Sequence, residues 1–175
     1  MILSDFIGVP QIAAALVLMQ RGLEELHSAR NTNRLTAEGA HEVGHAYYRV
    51  VAATHLAWIA SIFFLISPHT IVFWPLLVYY VVLQVVRYWI ILSLGRYWTH
   101  GIISIPNAPI VIRGPYRYLR HPNYALTIVE TFVLPLAFGT LALAIIMTVL
   151  WWTVLGYKIG LEDESLAERI ATKDQ

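Results

Sequence analysis

The chain has 175 residues, 58% of them hydrophobic and only 13% charged, with a formal net charge of +1 and mean hydropathy +0.60. One compact soluble domain of this length cannot hide so much apolar surface, so the composition points to a membrane protein. It excludes a disordered chain, a disulfide scaffold and a nucleic-acid binder with a basic face, and the lack of cysteine excludes thiolate catalysis, Cys-ligated metal sites and a lipidated cysteine anchor.

In chain order, apolar stretches at Ile2–Met19, Tyr47–Ile66, Ile71–Leu94, Tyr124–Phe138 and Thr140–Tyr157 predict an all-α polytopic bundle of about five transmembrane helices, forming one integral-membrane domain over residues 1–175. The first stretch carries Asp5 and no cation before Arg21, the reverse of a signal peptide, and reads as a retained span. Residues 20–46 continue it as a helix extension with a polar turn around Asn31–Asn33. Residues 50–86 hold no charged side chain, so the second and third spans meet at the short loop Ser67–Thr70. Residues 95–122 carry Pro106-Asn107 and Gly114-Pro115 among β-branched residues, predicting an ordered loop with a small hairpin. The fourth and fifth spans are short and Pro-interrupted, as in a tilted hairpin. From Lys158 the tail sets Ile159, Leu166 and Ile170 on one face of an amphipathic helix expected to lie on the other segments.

Ten of the twelve cations fall in segments 20–46, 95–122 and 158–175, and none in Ser67–Thr70 or the Pro135–Gly139 turn. The positive-inside rule then puts these segments in the cytoplasm and the amino terminus outside, in a bacterial-type inner membrane.

Arg87, Glu130 and His55 lie inside predicted spans. A central Arg costs about 2.5–3.5 kcal/mol on insertion scales, so it is expected to face a partner. Tyr80, Gln84 and Arg87 recur at i, i+4 and i+7, as do Asn123, Thr127 and Glu130. Two readings follow: an Arg87–Glu130 ion pair that fixes helix packing, with His55 as a bundle histidine, or a polar reaction chamber. His41-Glu42-Val43-Gly44-His45 also matches the zinc-protease pattern H-E-x-x-H. It needs a third ligand, the acids after it are deep or in the tail, and Gly44 weakens the helix. In a chain with 7 histidines coincidence is the better account.

The run Gly114-Pro115-Tyr116-Arg117-Tyr118-Leu119-Arg120-His121-Pro122-Asn123-Tyr124 restricts the backbone and clusters cations and aromatics where an apolar helix begins, suiting either a polar ligand or a helix anchor. With Lys158-Ile159-Gly160-Leu161-Glu162-Asp163-Glu164-Ser165-Leu166 it resembles the signature of the isoprenylcysteine carboxyl methyltransferase family, G-P-Y-R-x-x-R-H-P-x-Y followed by R-I-x-x-E-E-x-x-L. Lys158 stands for Arg and Asp163 for the second Glu. The likeness is closer still to a bacterial branch that O-methylates alkylpyrones and alkylresorcinols, at Ser28-Ala29-Arg30-Asn31, Glu38–Gly44, Leu94–Thr99 and His121–Tyr124 with Glu130 beyond. In that alignment the positions of His41 and His45 do not demand histidine.

The resemblance implies S-adenosylmethionine bound on the cytoplasmic side by Arg120, His121, Pro122, Tyr124, Tyr116, Glu162 and Asp163, with a lipid substrate entering from the bilayer. A phenol-like hydroxyl has a pKa near 10, so ionising it at pH 7 costs about 4 kcal/mol and invites a base; a prenylcysteine carboxylate needs none. Prenylcysteine enzymes, as the resemblance suggests, have no acid at the position of Glu130. The expected function is therefore O-methylation of a long-chain lipid hydroxyl, with Arg87 orienting the anionic oxygen and Glu130 or His55 as base. A prenylcysteine carboxyl methyltransferase is the alternative, ahead of a phospholipid N-methyltransferase, a zinc metalloprotease and a non-enzymatic membrane subunit.

Overall fold

The computed structural model describes residues 6–43, 45–104 and 111–173, with the side chains of 43, 45, 46, 104 and 163–173 left aside. It is mostly helical. Among the described residues five α-helices run in sequence, α1 (Val9–Ala37), α2 (His45–Leu65), α3 (Trp74–Leu94), α4 (Pro122–Ala137) and α5 (Leu141–Lys173), with two short strands, β1 (His41–Val43) and β2 (Ile102–Ser104). By length and composition three helices can cross a membrane, over Tyr47–Leu65, Trp74–Tyr97 and Leu141–Glu162.

Local chemistry sets the helix ends. Pro10, Pro75 and Pro122 occupy first-turn positions, where the missing N–H is no loss. Gly39 (φ 91°) and Gly139 (φ 71°) turn the chain after α1 and α4. Gln11 joins the start of α1 to the end of α2 by donating to the carbonyls of Phe63 (3.0 Å) and Ile66 (2.8 Å).

Helix α4 packs between α3 and α5, α5 packs on α2, and α2 on α1. Hydrogen bonds from Gln20 to Gln84 and from Asn31 to Gly95 and Trp98 close the ring between α1 and the α3 end. The main core of Trp58, Ile59, Ile62, Leu83, Ile90 and Leu134 fills the bundle, and Trp151, Val154 and Leu155 form a second cluster with Tyr47 and Val51. Apolar burial and dispersion hold these layers together.

Two sequence expectations change, at Asn31 and in the tail. Asn31 makes no turn: α1 continues to Ala37, because Asn31 points inward and donates to the Trp98 carbonyl at 2.8 Å. Strand β2 pairs antiparallel with β1, His41 opposite Ser104 and Val43 opposite Ile102; residues 105–110, on which a hairpin within the 95–122 segment would turn, lie outside the described residues. The tail is no separate helix; α5 runs unbroken through Lys158 to Lys173, and the expected docking of Leu166 and Ile170 lies outside the described side chains.

Helix α1 is patterned inside out. Ile12, Leu16, Met19, Leu23 and Leu26 form an exposed apolar stripe, while Ala14, Val17, Glu24, Ser28, Asn31 and Leu35 are buried. Both stripes follow three- and four-residue steps, which place residues on one helix face.

The Gly114–Arg117 turn sits against the end of α3. Gly114 has φ +58°, and a Cβ there would lie 2.1 Å from the Ser93 hydroxyl. Arg113 clamps the same turn, its Nε donating to the Ser93 carbonyl at 2.6 Å. Gly114→Ala is expected to cost about 1–2 kcal/mol from the left-handed backbone alone, with the Ser93 clash added. Thermal unfolding in detergent checks this, and an unchanged midpoint would refute the close approach.

Candidate active site

Helices α1, α3 and α4 bring four opposite charges together in the interior. Arg87 Nε donates to Glu130 Oε1 at 2.9 Å, and Arg87 Nη2 donates to Glu130 Oε2 and to Thr127 at 3.1 Å. Arg87 Nη1 donates to Asn123 Oδ1 at 3.1 Å. Arg21 bridges the two acids, donating to Glu24 at 2.7 Å and to Glu130 at 2.8 Å. Gln84 donates to Glu130 at 3.0 Å, and Gln20 to Glu24 at 3.0 Å. Two arginines and two glutamates sum to zero charge, which permits their burial. Arg87 and Glu130 are 2% and 1% exposed, so neither can be solvated by water instead.

The spacing that pairs Arg87 with Glu130 is legible in the sequence; Arg21 and Glu24 are not, because they follow the first apolar stretch, which ends at Met19. Of the five N–H donors of Arg87, four make hydrogen bonds; the fifth is on Nη1, which lies 3.7 Å from Glu24 Oε2.

A cavity of about 250 Å³ lies beside this network. Arg21, Glu24, Arg87, Asn123 and Thr127 give its polar wall, and Val51, Leu56, Ile59 and Leu155 its apolar wall. His55 lines it, its ring edge-on to Trp151 at 4.4 Å between centroids and to Trp58 at 6.4 Å. Glu130 is not among the lining residues; it stands behind Arg87 with both oxygens accepting.

The cavity extends to a second cluster. Trp151, Leu155, Lys158 and Glu162 follow one face of α5, the first three lining the cavity. Glu162 accepts from the Tyr124 hydroxyl, lies 3.2 Å from His121 Nδ1 and 3.9 Å from Lys158 Nζ. The Tyr124 ring stacks on His121 at 5.3 Å with the planes 6° apart, and Lys158 Nζ lies over the Tyr124 ring at 5.0 Å from its centroid. Burial, with help from the Glu162 charge, pushes the Tyr116 hydroxyl well above its ordinary range, so it remains a donor. Pro122 is buried in the first turn of α4. Arg120 is exposed and joins none of these contacts, and the Asp163 side chain lies outside the described ones.

The H-E-x-x-H run does not share a helix. His41 and Glu42 are on β1 and α2 starts only at His45, so the i, i+4 geometry that pairs two histidine ligands is not formed. Among the described residues no group of three or more His, Asp and Glu is placed to hold a metal.

Glu130→Gln leaves two buried arginines facing one carboxylate. Breaking such a network typically costs about 3–5 kcal/mol, to be read as a lower unfolding temperature. Arg21→Gln combined with Glu130→Gln restores neutrality, so the double variant is expected to lose less than the sum of the singles. Strict additivity would show that the charges are uncoupled.

Comparison with known proteins adds to this geometry. No solved structure matches the chain. The Uncharacterized protein YpbQ of Bacillus subtilis (strain 168) is 30% identical over 158 residues, covering 88% of this chain and 94% of that protein. The model of the isoprenylcysteine carboxyl methyltransferase family matches residues 75–168, from the start of α3 through the Glu130 network, the His121–Tyr124 stack and Glu162. The aromatic carboxylate cluster lies wholly within that match, as do Arg87, Asn123, Thr127 and Lys158 of the cavity wall, and the chain belongs to the isoprenylcysteine carboxyl methyltransferase family of membrane methyltransferases.

Proposed function

We propose that the chain is an S-adenosylmethionine-dependent O-methyltransferase acting on a membrane-embedded long-chain lipid, at the hydroxyl of an alkylpyrone or alkylresorcinol. The observation that carries this reading is the α5 face from Glu162 to Trp151, which joins a polar aromatic cluster to a cavity with one charged and one apolar wall.

The chemistry of the outer cluster fits the cofactor. A carboxylate, Glu162, suits an ammonium or a ribose diol; Lys158, His121 and the protonated Tyr116 suit a carboxylate; the flat His121 and Tyr124 rings suit an adenine. When bound, S-adenosylmethionine supplies an electrophilic methyl group on a sulfonium. Arg120 and Asp163 stay in the proposed set on the strength of the family signature alone.

The inner cavity suits an amphipathic acceptor. Leu18 and Leu56 line it and are also about half exposed on the outside of the bundle. Gly22 lies between them with no side chain to fill the gap, and an added Cβ would meet open space. This arrangement favours lateral entry of an alkyl chain between α1 and α2. Arg87 Nη1, which donates to Asn123 and lies 3.7 Å from Glu24 Oε2, has one N–H without a hydrogen bond to offer an anionic oxygen. Glu130, held by two arginines, serves as a counter-charge rather than as the base.

The same outward stripe supports five crossings. Exposed apolar residues continue along α1 to Leu26, and α4, although only 16 residues long, is walled by α3 and α5. The charged end, with β1, β2 and the Glu162 cluster, then faces the cytoplasm of a bacterial-type inner membrane and the amino terminus the outside.

Labelled S-adenosylmethionine offered with an alkylresorcinol, an alkylpyrone, farnesylcysteine and a phospholipid amine is expected to label the first two. Label on farnesylcysteine alone would replace this reading by prenylcysteine carboxyl methylation. His121→Ala and Tyr124→Ala are expected to abolish cofactor binding, and unchanged binding by equilibrium dialysis would remove them from the site. Gly22→Leu is expected to raise KM for long-chain acceptors at least tenfold and to spare short-chain ones; equal effects on both would exclude the α1–α2 route.

A further inference from the structure

One histidine of the cavity wall is held far more firmly than His55. His100 lies in the irregular stretch between α3 and β2, yet three contacts from two helices fix it. Its backbone N–H donates to the Ser28 hydroxyl at 2.8 Å, its carbonyl accepts from Lys158 Nζ at 2.8 Å, and its ring Nδ1 is 2.7 Å from Glu25 Oε2. The Tyr48 hydroxyl hydrogen-bonds the same Glu25, and the Trp98 ring meets the imidazole edge-on at 5.7 Å. His100, Glu25 and Tyr48 all line the cavity that Arg21, Arg87 and His55 line.

A carboxylate on Nδ1 selects the tautomer with the proton on that nitrogen and leaves the Nε2 lone pair free to accept another. His55 has two tryptophan edges and no such carboxylate. Among the described residues, the other charged or titratable groups around His100 are Glu25 on α1, Tyr48 and His55 on α2, Lys158 on α5 and Glu42 on β1. A Cβ at Gly101 would come within 2.8 Å of Glu42, which marks how near that strand approaches.

We propose that His100 Nε2 is the general base that takes the proton of the acceptor hydroxyl, with Glu25 as its positioning residue. This rests on the proposed hydroxyl acceptor. In the step, the acceptor O–H bond breaks and its proton passes to Nε2. The oxygen forms a bond to the methyl of a sulfonium donor, and the sulfur–methyl bond breaks to leave a neutral thioether. The Glu25 side chain is 45% exposed and that of His100 24%, so the dyad touches solvent and can release the proton after each turnover. His55 then belongs to the apolar wall that shapes the acceptor.

The test uses the full-length protein in detergent or vesicles with an alkylresorcinol acceptor. His100→Gln is expected to lower kcat at pH 7 by at least about 10²-fold, the usual scale of general-base catalysis. The loss should shrink as the pH rises toward about 10, where the free hydroxyl ionises without help. Cofactor binding should stay at the wild-type level. Glu25→Gln, at a half-exposed position, is expected to lower kcat about tenfold with KM unchanged. A readout independent of turnover is the ¹⁵N spectrum of histidine-labelled protein, in which His100 should show the Nδ1–H tautomer in the wild type and a mixture in Glu25→Gln.

A pH-independent loss in His100→Gln, or wild-type activity at pH 7, would overturn the base while leaving the hydroxyl acceptor standing. A wild-type protein that methylates only the farnesylcysteine carboxylate would overturn both, since that oxygen carries no proton to remove.

Discussion

Burying a charge in hydrocarbon is possible only where another charge meets it, and this bundle is arranged around that constraint. Glu130 receives Arg87 from α3 and Arg21 from α1, and Arg21 also holds Glu24. Three of the five helices are thereby fixed in rotation. A turn of α1 that moved Arg21 outward would strand Glu130 beside a single arginine, and one that moved Glu24 outward would leave excess positive charge. Register and rotation are set by charge neutrality; apolar packing among Trp58, Ile62 and Leu134 then fills what remains.

The same network decides which groups stay free for chemistry. Glu130 accepts from Arg87, Arg21 and Gln84, and in the proposed reading it is a counter-charge. Arg87 lines the cavity and has one N–H without a hydrogen bond, on the nitrogen 3.7 Å from Glu24. The histidines divide in the same manner: His55 sits among tryptophans, whereas His100 is tied to a carboxylate. Position in a span marks a residue as costly to place. The partners it finds decide whether it reacts.

The sequence shows the helices and half of the polar centre, for physical reasons. The stripes Tyr80-Gln84-Arg87 and Asn123-Thr127-Glu130 each lie within one helix, and their spacing places both on inner faces. The family signature at residues 114–124 and at Glu162 is likewise local, and the structure brings His121, Tyr124 and Glu162 into contact. Arg21 and Glu24 are harder to see because a hydropathy reading ends the first span where charge begins. In α1 the charges turn inward and leucines continue outside, so its apolar stripe and its charges overlap in sequence. Asn31 reads as a turn former until the Trp98 carbonyl, 67 residues away, gives it a partner. The β1–β2 pairing and the His100–Glu25 contact join segments far apart in sequence, and no local pattern encodes either.

The inverted pattern of α1 bears on how the protein is built. This helix is synthesised before the segments that carry Arg87 and Glu130, and alone in a bilayer it would expose an arginine and glutamates on one face. On insertion scales each such residue costs about 2.5–3.5 kcal/mol, which the local Arg21–Glu24 contact only partly offsets. Until α3 and α4 arrive, α1 is poorly suited to lipid and better kept at a protein-lined or hydrated site. Assembly of this fold is therefore cooperative: α1 reaches a charge-neutral seat only when α3 and α4 supply Arg87 and Glu130.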